Sequence, residues 1–226
     1  MPESELKNKF KLQVVPVTPL QQNAMIFWST ESMKGVLIDP GGDVDKLMNA
    51  IDEAGVTIIE IWLTHGHIDH AGGAAECRRR IGCTITGPHK DDQFWLDTLE
   101  KMGGEYGIPE AENFTPDKYL NHGDTIEFEG VTFAVLHCPG HSPGSVVLYN
   151  KELSFAFVGD VLFQGSIGRT DLPQGNHQDL IDSITGKLWP LGKAIQFMPG
   201  HGPGSTFEHE RQSNGFVADS VTGFSD

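Results

Sequence analysis

Long apolar runs are absent from this sequence: nowhere do about eighteen apolar residues follow one another, so no transmembrane helix is expected. Cations are scarce, with 16 Lys and Arg against 31 Asp and Glu and a formal net charge of −15. The single basic run, Arg78-Arg79-Arg80, falls late in an expected helix, where cations suit the helix dipole. Phosphate backbones and anionic bilayers need clustered Lys and Arg, so neither nucleic acid nor membrane is expected as a partner. The three cysteines, Cys77, Cys83 and Cys138, are odd in number and lack C-x-x-C spacing, so neither a disulfide framework nor a cysteine zinc site is suggested. They read as small buried hydrophobes, with Cys138 close to a candidate ligand. Residues Met1 to Lys11 are polar and carry no apolar h-region, so a cytoplasmic location is expected. There is no flexible linker and no repeat at a fixed period. One domain over residues 1–226 is expected, although the length would also admit two small ones.

What is present is glycine and proline, 27 and 13, spread between apolar runs in a pattern that fits many short strands and functional loops. Strands are predicted at Leu12 to Val17, Ala24 to Ser29 and Lys34 to Asp39, separated by turn-formers. Asp43 is predicted to cap a helix over Val44 to Ala54 with Gly55 as its stop. A strand over Ile58 to Leu63 follows. One helix is predicted from Asp69 or His70 through Ile81, ended by Gly82, with Gly72 and Gly73 as signs of tight packing at its start. Thr84 to Thr86 reads as a strand, Lys90 to Met102 as a helix, and Gly103 to Pro116 as an irregular surface segment. A hairpin around Gly130 spans Thr125 to His137, with strands at Ser145 to Tyr149 and Leu153 to Val158. A helix over Gln178 to Leu188, a strand at Ala194 to Met198 and a helical tail near Glu208 to Asp219 close the chain. Strands then helix, twice over, predict an α/β sandwich of two sheets with helices on the outer faces.

The densest chemistry lies in Thr64-His65-Gly66-His67-Ile68-Asp69-His70, three imidazoles and a carboxylate in one short segment. Irregular backbone after a buried strand lets these side chains converge; a regular strand would send His70 to the face opposite the others. Three more places repeat one design, an apolar strand, then glycine, then a metal-competent side chain: Gly140-His141, Gly159-Asp160 and Gly200-His201. Glycine permits the sharp turn that brings each ligand over the sheet edge. Five histidines and two aspartates exceed what one catalytic zinc takes, which is three protein ligands plus water. Two metals are expected. The simplest partition gives His65, His67 and His141 to one ion and Asp69, His70 and His201 to the other, with Asp160 as the bridge. Zn, Fe and Mn all suit these donors, with Zn preferred. His89, His122, His137, His177 and His209 read as loop, strand, helix-start or tail residues.

The order H-x-H-x-D-H, G-H, G-D, G-H over Thr64 to His201 resembles the metallo-β-lactamase superfamily. The resemblance implies an αββα sandwich of two mixed β-sheets flanked by helices, with a dinuclear site at one sheet edge. Within it, the Pro139-Gly140-His141-Ser142-Pro143-Gly144 loop and Gly159-Asp160-Val161-Leu162-Phe163 look like glyoxalase II and its relatives, which hydrolyse S-2-hydroxyacylglutathione thioesters. Gly168-Arg169-Thr170-Asp171 and Pro199-Gly200-His201-Gly202-Pro203 look like the short bacterial glyoxalase II-like proteins, without the C-terminal helical domain that binds glutathione in the longer enzyme. The expected partner is a small thioester. Its carbonyl would be attacked by a metal-bridging hydroxide that Asp69 helps to orient. Arg169 is the nearest thing to a substrate-anchoring cation, with Asp171 beside it offering a salt bridge instead. The alternative is a persulfide dioxygenase of the same fold holding one iron through His65, His141 and Asp160.

Overall fold

A computed structural model describes residues 8–225, and the chain divides into two compact units, Met1–Tyr119 and Leu120–Asp226. The polar stretch before residue 8 lies outside the described residues.

The first unit opens with β1 (Phe10–Val17), β2 (Gln22–Ser29) and β3 (Lys34–Ile38), the meander expected from the spacing of apolar runs and turn-formers. Every residue of β2 is buried, as a strand flanked on both edges and covered on both faces must be. Helix α1 (Val44–Ala54) turns its Val44, Leu47, Ala50 and Ile51 inward at helical spacing and ends at Gly55 in the left-handed region. Asp43 stands at its N-cap position without capping it: the residue is itself left-handed (φ 50°), and its Oδ2 accepts instead from the Thr18 N–H at 2.8 Å. Strand β4 (Thr57–Trp62) then pairs in parallel with β3.

The single helix expected over 69–81 is two, α2 (Ile68–Ala71) and α3 (Ala74–Ile81). The break has a tertiary cause: the Gly73 N–H donates to Pro40 O at 2.9 Å instead of continuing the helical ladder. Strand β5 (Thr84–Thr86) completes a mixed sheet in the order β1-β2-β3-β4-β5. The helix expected over 90–102 is a 3₁₀ turn followed by α4 (Gln93–Leu96) and α5 (Leu99–Tyr106). The segment read as irregular surface therefore starts helical and is irregular from Ile108 onward; much of it is exposed, as expected, while Ile108, Ala111 and Phe114 reach into the core of this unit.

The second unit begins with the hairpin β6 (Thr125–Phe128) and β7 (Val131–His137), whose two-residue turn, Glu129-Gly130, has both φ angles positive as a primed hairpin turn requires. Strands β8 (Val146–Asn150) and β9 (Phe155–Gly159) follow, then a small ribbon of β10 (Leu162–Phe163) and β11 (Ser166–Ile167) too short to have been read from sequence. Helix α6 (His177–Ser183) passes into a π-helical turn over Ile184–Leu188, a local widening of what reads as one helix. Strand β12 (Gln196–Pro199) pairs in parallel with β9, and β13 (Ser205–Thr206) adds an edge. The expected helical tail is two short pieces, α7 (Phe207–Ser213) and α8 (Asp219–Thr222). The sheet order is β13-β12-β9-β8-β7-β6, with a core of its own built from residues such as Leu162, Leu180, Leu188, Trp189 and Phe207.

Direction within this sheet positions the candidate ligands. Strand β8 is antiparallel to both β7 and β9, and β12 is parallel to β9. The C-terminal ends of β7, β9 and β12, which precede His141, Asp160 and His201, therefore emerge along one edge.

Candidate metal centre

In the first unit, parallel pairing of β3 with β4 sets the Asp39 and Thr64 strand ends side by side, and the Asp39 N–H donates to Trp62 O at 3.0 Å. Asp39 is wholly buried and left-handed (φ 48°). Its Oδ1 accepts from the Thr64 N–H at 2.8 Å, and its Oδ2 accepts from Thr64 Oγ1 at 2.6 Å and lies 3.0 Å from His70 Nδ1. A carboxylate at that site accepts, so His70 Nδ1 carries the proton and Nε2 offers its lone pair. The Gln22 amide, at 3.3 Å from the same nitrogen, is the longer contact and does not change this assignment. Thr64 Oγ1, its proton given to Asp39, lies 3.1 Å from His65 Nδ1 and receives that N–H, which again leaves Nε2 as the ligand atom.

The Asp39, His65 and His70 donor atoms lie within 4.8 Å of one another. Asp39 is the orienting member of this group, because its oxygens are already engaged by Thr64 and His70. The imidazoles gather tightly: His65 is 4.0 Å from His70 and 4.7 Å from His67 between ring centroids, while Asp69 Oδ2 is 3.7 Å from His70 Nε2. Trp95 packs edge-on against His67 at 4.7 Å, and buried Asp92 accepts the Gly66 N–H through Oδ2 at 2.8 Å. The backbone allows no slack here: a Cβ at Gly41 would fall 1.4 Å from Asp69 O.

In the second unit, Gly140 precedes His141 with φ +136°, and a Cβ there would sit 2.3 Å from Leu180 N, so glycine lets the loop lie against α6. Ser183 Oγ donates to Pro139 O at 2.9 Å, and the Asn176 N–H donates to Gly140 O at 2.8 Å, pinning the same loop. His141 Nδ1 donates to Arg169 O at 2.8 Å, which turns Nε2 outward as the ligand atom. Pro199 pairs with Gly159 across β12 and β9, and the Gly200 N–H donates to Gly159 O at 2.8 Å, so the residues after these strands are neighbours. The outcome is a single oxygen, Asp160 Oδ2, 3.5 Å from Nε2 of His141 and 3.5 Å from Nε2 of His201. His201 is partly exposed, and Phe163 meets its ring edge-to-face at 6.2 Å.

The first unit thus gathers His65, His67, Asp69 and His70, and the second gathers His141, Asp160 and His201. All are nitrogen or oxygen donors from hard or borderline ligands, mostly buried, and His65, His70 and His141 have their tautomers set from behind, a donor set that fits divalent metal ions. Arg169 spends its guanidinium on a two-pronged exposed pair with Asp171, both bonds at 2.7 Å, which holds the Asp171 carboxyl down to about 2. Its backbone carbonyl, not its charge, is what touches the candidate centre. Cys138 is fully buried, and burial pushes its thiol up to about 12, so it is a hydrophobic filler, as read from sequence, and no thiolate ligand. Asp39 and Asp92 were missed at the sequence level: each is a lone carboxylate far along the chain from the motif it supports, and only strand pairing and helix placement reveal them. The Asp39-Pro40-Gly41-Gly42 run at a strand end was the available signal.

A family model described as the metallo-beta-lactamase superfamily matches residues 17–206. The chain is 39% identical over 207 residues to the hydroxyacylglutathione hydrolase GloC of Haemophilus influenzae, covering 91% of this chain and 97% of that protein. Among solved structures, the BLEG-1 B3 metallo-β-lactamase matches with a TM-score of 0.84 at 34% identity, covering 94% of this chain and 100% of that one. TTHA1623 in a di-iron-bound form matches with a TM-score of 0.80 at 35% identity, covering 91% and 100%. In sequence, in its two mixed sheets flanked by helices, and in its clusters of histidine and aspartate, the chain belongs to the metallo-β-lactamase superfamily.

Proposed function

We propose that this protein is a dinuclear metal-dependent hydrolase of acyl thioesters of the S-2-hydroxyacylglutathione type. The observation that carries the two-metal reading is Asp160 Oδ2, equidistant at 3.5 Å from two imidazole nitrogens that come from different loops. One carboxylate oxygen between two histidines is what a bridging ligand needs, and a one-metal site would have no use for His201. In this reading His65, His67 and His141 would hold one ion, Asp69, His70 and His201 would hold the other, and Asp160 would be available to both. The substrate class is supported by the relation to GloC over nearly the full length of both chains.

Bound divalent ions would supply Lewis acidity and a water activated at neutral pH. The residues of this chain do the rest. Asp69 accepts a hydrogen bond from the attacking water and so aims its lone pair at the acyl carbon. Asp39, Thr64 and the Arg169 carbonyl hold His70, His65 and His141 in the tautomer that presents Nε2. As the water oxygen bonds to the acyl carbon the C–S bond breaks: the acyl group leaves as a carboxylate, the sulfur leaves as a thiolate, a stable anion that needs little general-acid help, and the water's two protons pass to solvent. No serine or cysteine nucleophile is required. The ions' positive charge offsets the acidity of the chain near the site, so an anionic thioester is not repelled at the point of reaction.

The test is release of free thiol from a 2-hydroxyacyl glutathione thioester by the purified protein, run beside an oxygen electrode with glutathione persulfide as substrate. Thiol release without oxygen uptake supports the hydrolase. Oxygen uptake with one iron per chain would establish the dioxygenase in its place.

A further inference from the structure

Behind the Asp160 and His201 loops lies a polar cluster that the catalytic reading does not use. Glu210, in α7, and Asn214, one turn on, are both completely buried. Glu210 Oε2 accepts from the Gly165 N–H at 2.7 Å and from Asn214 Nδ2 at 2.8 Å, and Glu210 Oε1 accepts from Ser205 Oγ at 2.5 Å. Asn214 Nδ2 also donates to Ser166 O at 3.0 Å. Two separate loops are therefore fastened to one carboxylate. Gly165 is the turn of the β10–β11 ribbon, which starts two residues after Asp160, and Ser205 opens β13, four residues after His201.

Neither loop holds itself in place. The ribbon has two residues per strand, and β13 pairs with β12 through only Phe197↔Ser205 and Gln196↔Thr206. The ribbon is a separate two-stranded pairing, marginal on its own in water, and β13 is only a two-residue edge on the six-stranded sheet. A buried carboxylate is also a costly fastener, because a well-packed apolar side chain often stabilises as much without the desolvation penalty. What the carboxylate adds is directional bonding to both loops at once. Phe163, in the ribbon, rests edge-on against the His201 ring, so the ribbon touches the second loop at the ligand itself.

We infer that Glu210, with Asn214 and Ser205, is a positioning residue: it sets Asp160 and His201 at their mutual distance and so controls the affinity and coordination of the ion that His201 binds. The inference rests on the two-metal reading above. Loss of a group hydrogen-bonded directly to a metal ligand typically lowers metal affinity about ten- to a hundredfold, and Glu210 acts one step further back, through the loops, so that range is the upper bound.

The test uses the purified, metal-loaded full chain, challenged with chelators of graded strength while Zn²⁺ retained per chain is measured by elemental analysis. Glu210→Ala is expected to release the ion that His201 holds at up to about ten- to a hundredfold weaker chelation than wild type, and ahead of the other ion. The visible spectrum of the Co²⁺-exchanged protein is expected to change with it. Glu210→Gln, which keeps an accepting oxygen, should restore part of the difference, and Ser205→Ala, which removes one arm, should give a smaller loss. Arg211→Met is the control: Arg211 is a buried neighbour in α7 whose guanidinium pairs with Asp219 at 2.9 Å and lies over the Phe224 ring at 4.7 Å. It should lower the unfolding midpoint and leave both ions in place. Equal release from Arg211→Met and Glu210→Ala would overturn the inference, since helix stability alone would then explain the effect. Should Glu210→Ala not fold, unchanged retention and spectra in Ser205→Ala and Glu210→Gln would overturn it as well. A wild type that holds only one ion would instead overturn the two-metal reading on which it rests.

Discussion

At the scale of single residues, the side chains behind the candidate ligands matter as much as the ligands. Asp39 accepts from Thr64 twice and lies against His70, all while fully buried. Asp39→Asn places an amide N–H where the His70 N–H points, which favours the wrong tautomer. Metal retention is expected to fall about ten- to a hundredfold under chelator competition, with far-UV circular dichroism unchanged. The thiols make a separate point. Burial pushes Cys77 and Cys138 up to about 12 and Cys83 to about 11. A native thiol that keeps its proton where the unfolded one has lost it makes the native state the better proton binder, so stability falls as pH rises from about 9 toward those values, by roughly 1.4 kcal/mol per unit for each fully buried thiol. Denaturant midpoints measured from pH 8 to pH 10.5 should decline, and a Cys77→Ala, Cys138→Ala double variant should decline less.

At the scale of elements, the strands and their turns were legible because apolar spacing and turn-formers act locally; β1, β2, β3 and the Gly130 hairpin fall within about two residues of expectation. The metal motif was legible for the same reason, as consecutive ligands after a buried strand. What sequence could not carry is chain meeting distant chain. The break between α2 and α3 exists because the Gly73 N–H bonds to Pro40 O, and the π-turn after α6 lies next to Ser183, which bonds to Pro139 O. Asp43 illustrates the same limit: it has the identity and position of a cap, yet Thr18, distant in sequence, takes its carboxylate. Gly41 is the sharpest test at this scale. In Gly41→Ala the new methyl would meet the Asp69 carbonyl, so the backbone carrying the motif must move. A loss of about 1–3 kcal/mol in urea unfolding, as in overpacked cores, is expected together with a lowered metal content. Full metal loading in a destabilised Gly41→Ala variant would mean that the 40–42 loop does not set the ligand geometry.

At the scale of the whole molecule, each unit carries its own mixed sheet and core, and among the described residues no helix is long and apolar enough to cross a membrane. The net charge of −15 acts at a distance, where the proposed ions do not dominate. For an anionic thioester, kcat/KM should rise as added salt screens the repulsion, over the range in which the Debye length falls from about 30 to about 10 Å. The central claim, a pair of ions sharing Asp160, is tested most directly by counting metal per chain in the wild type and in Asp160→Ala and measuring thioester hydrolysis on the same samples. The account predicts two ions with hydrolysis in the wild type, and loss of both loading and hydrolysis in the variant. Wild-type hydrolysis with one ion or none, or an Asp160→Ala protein that keeps two ions and full activity, would contradict it.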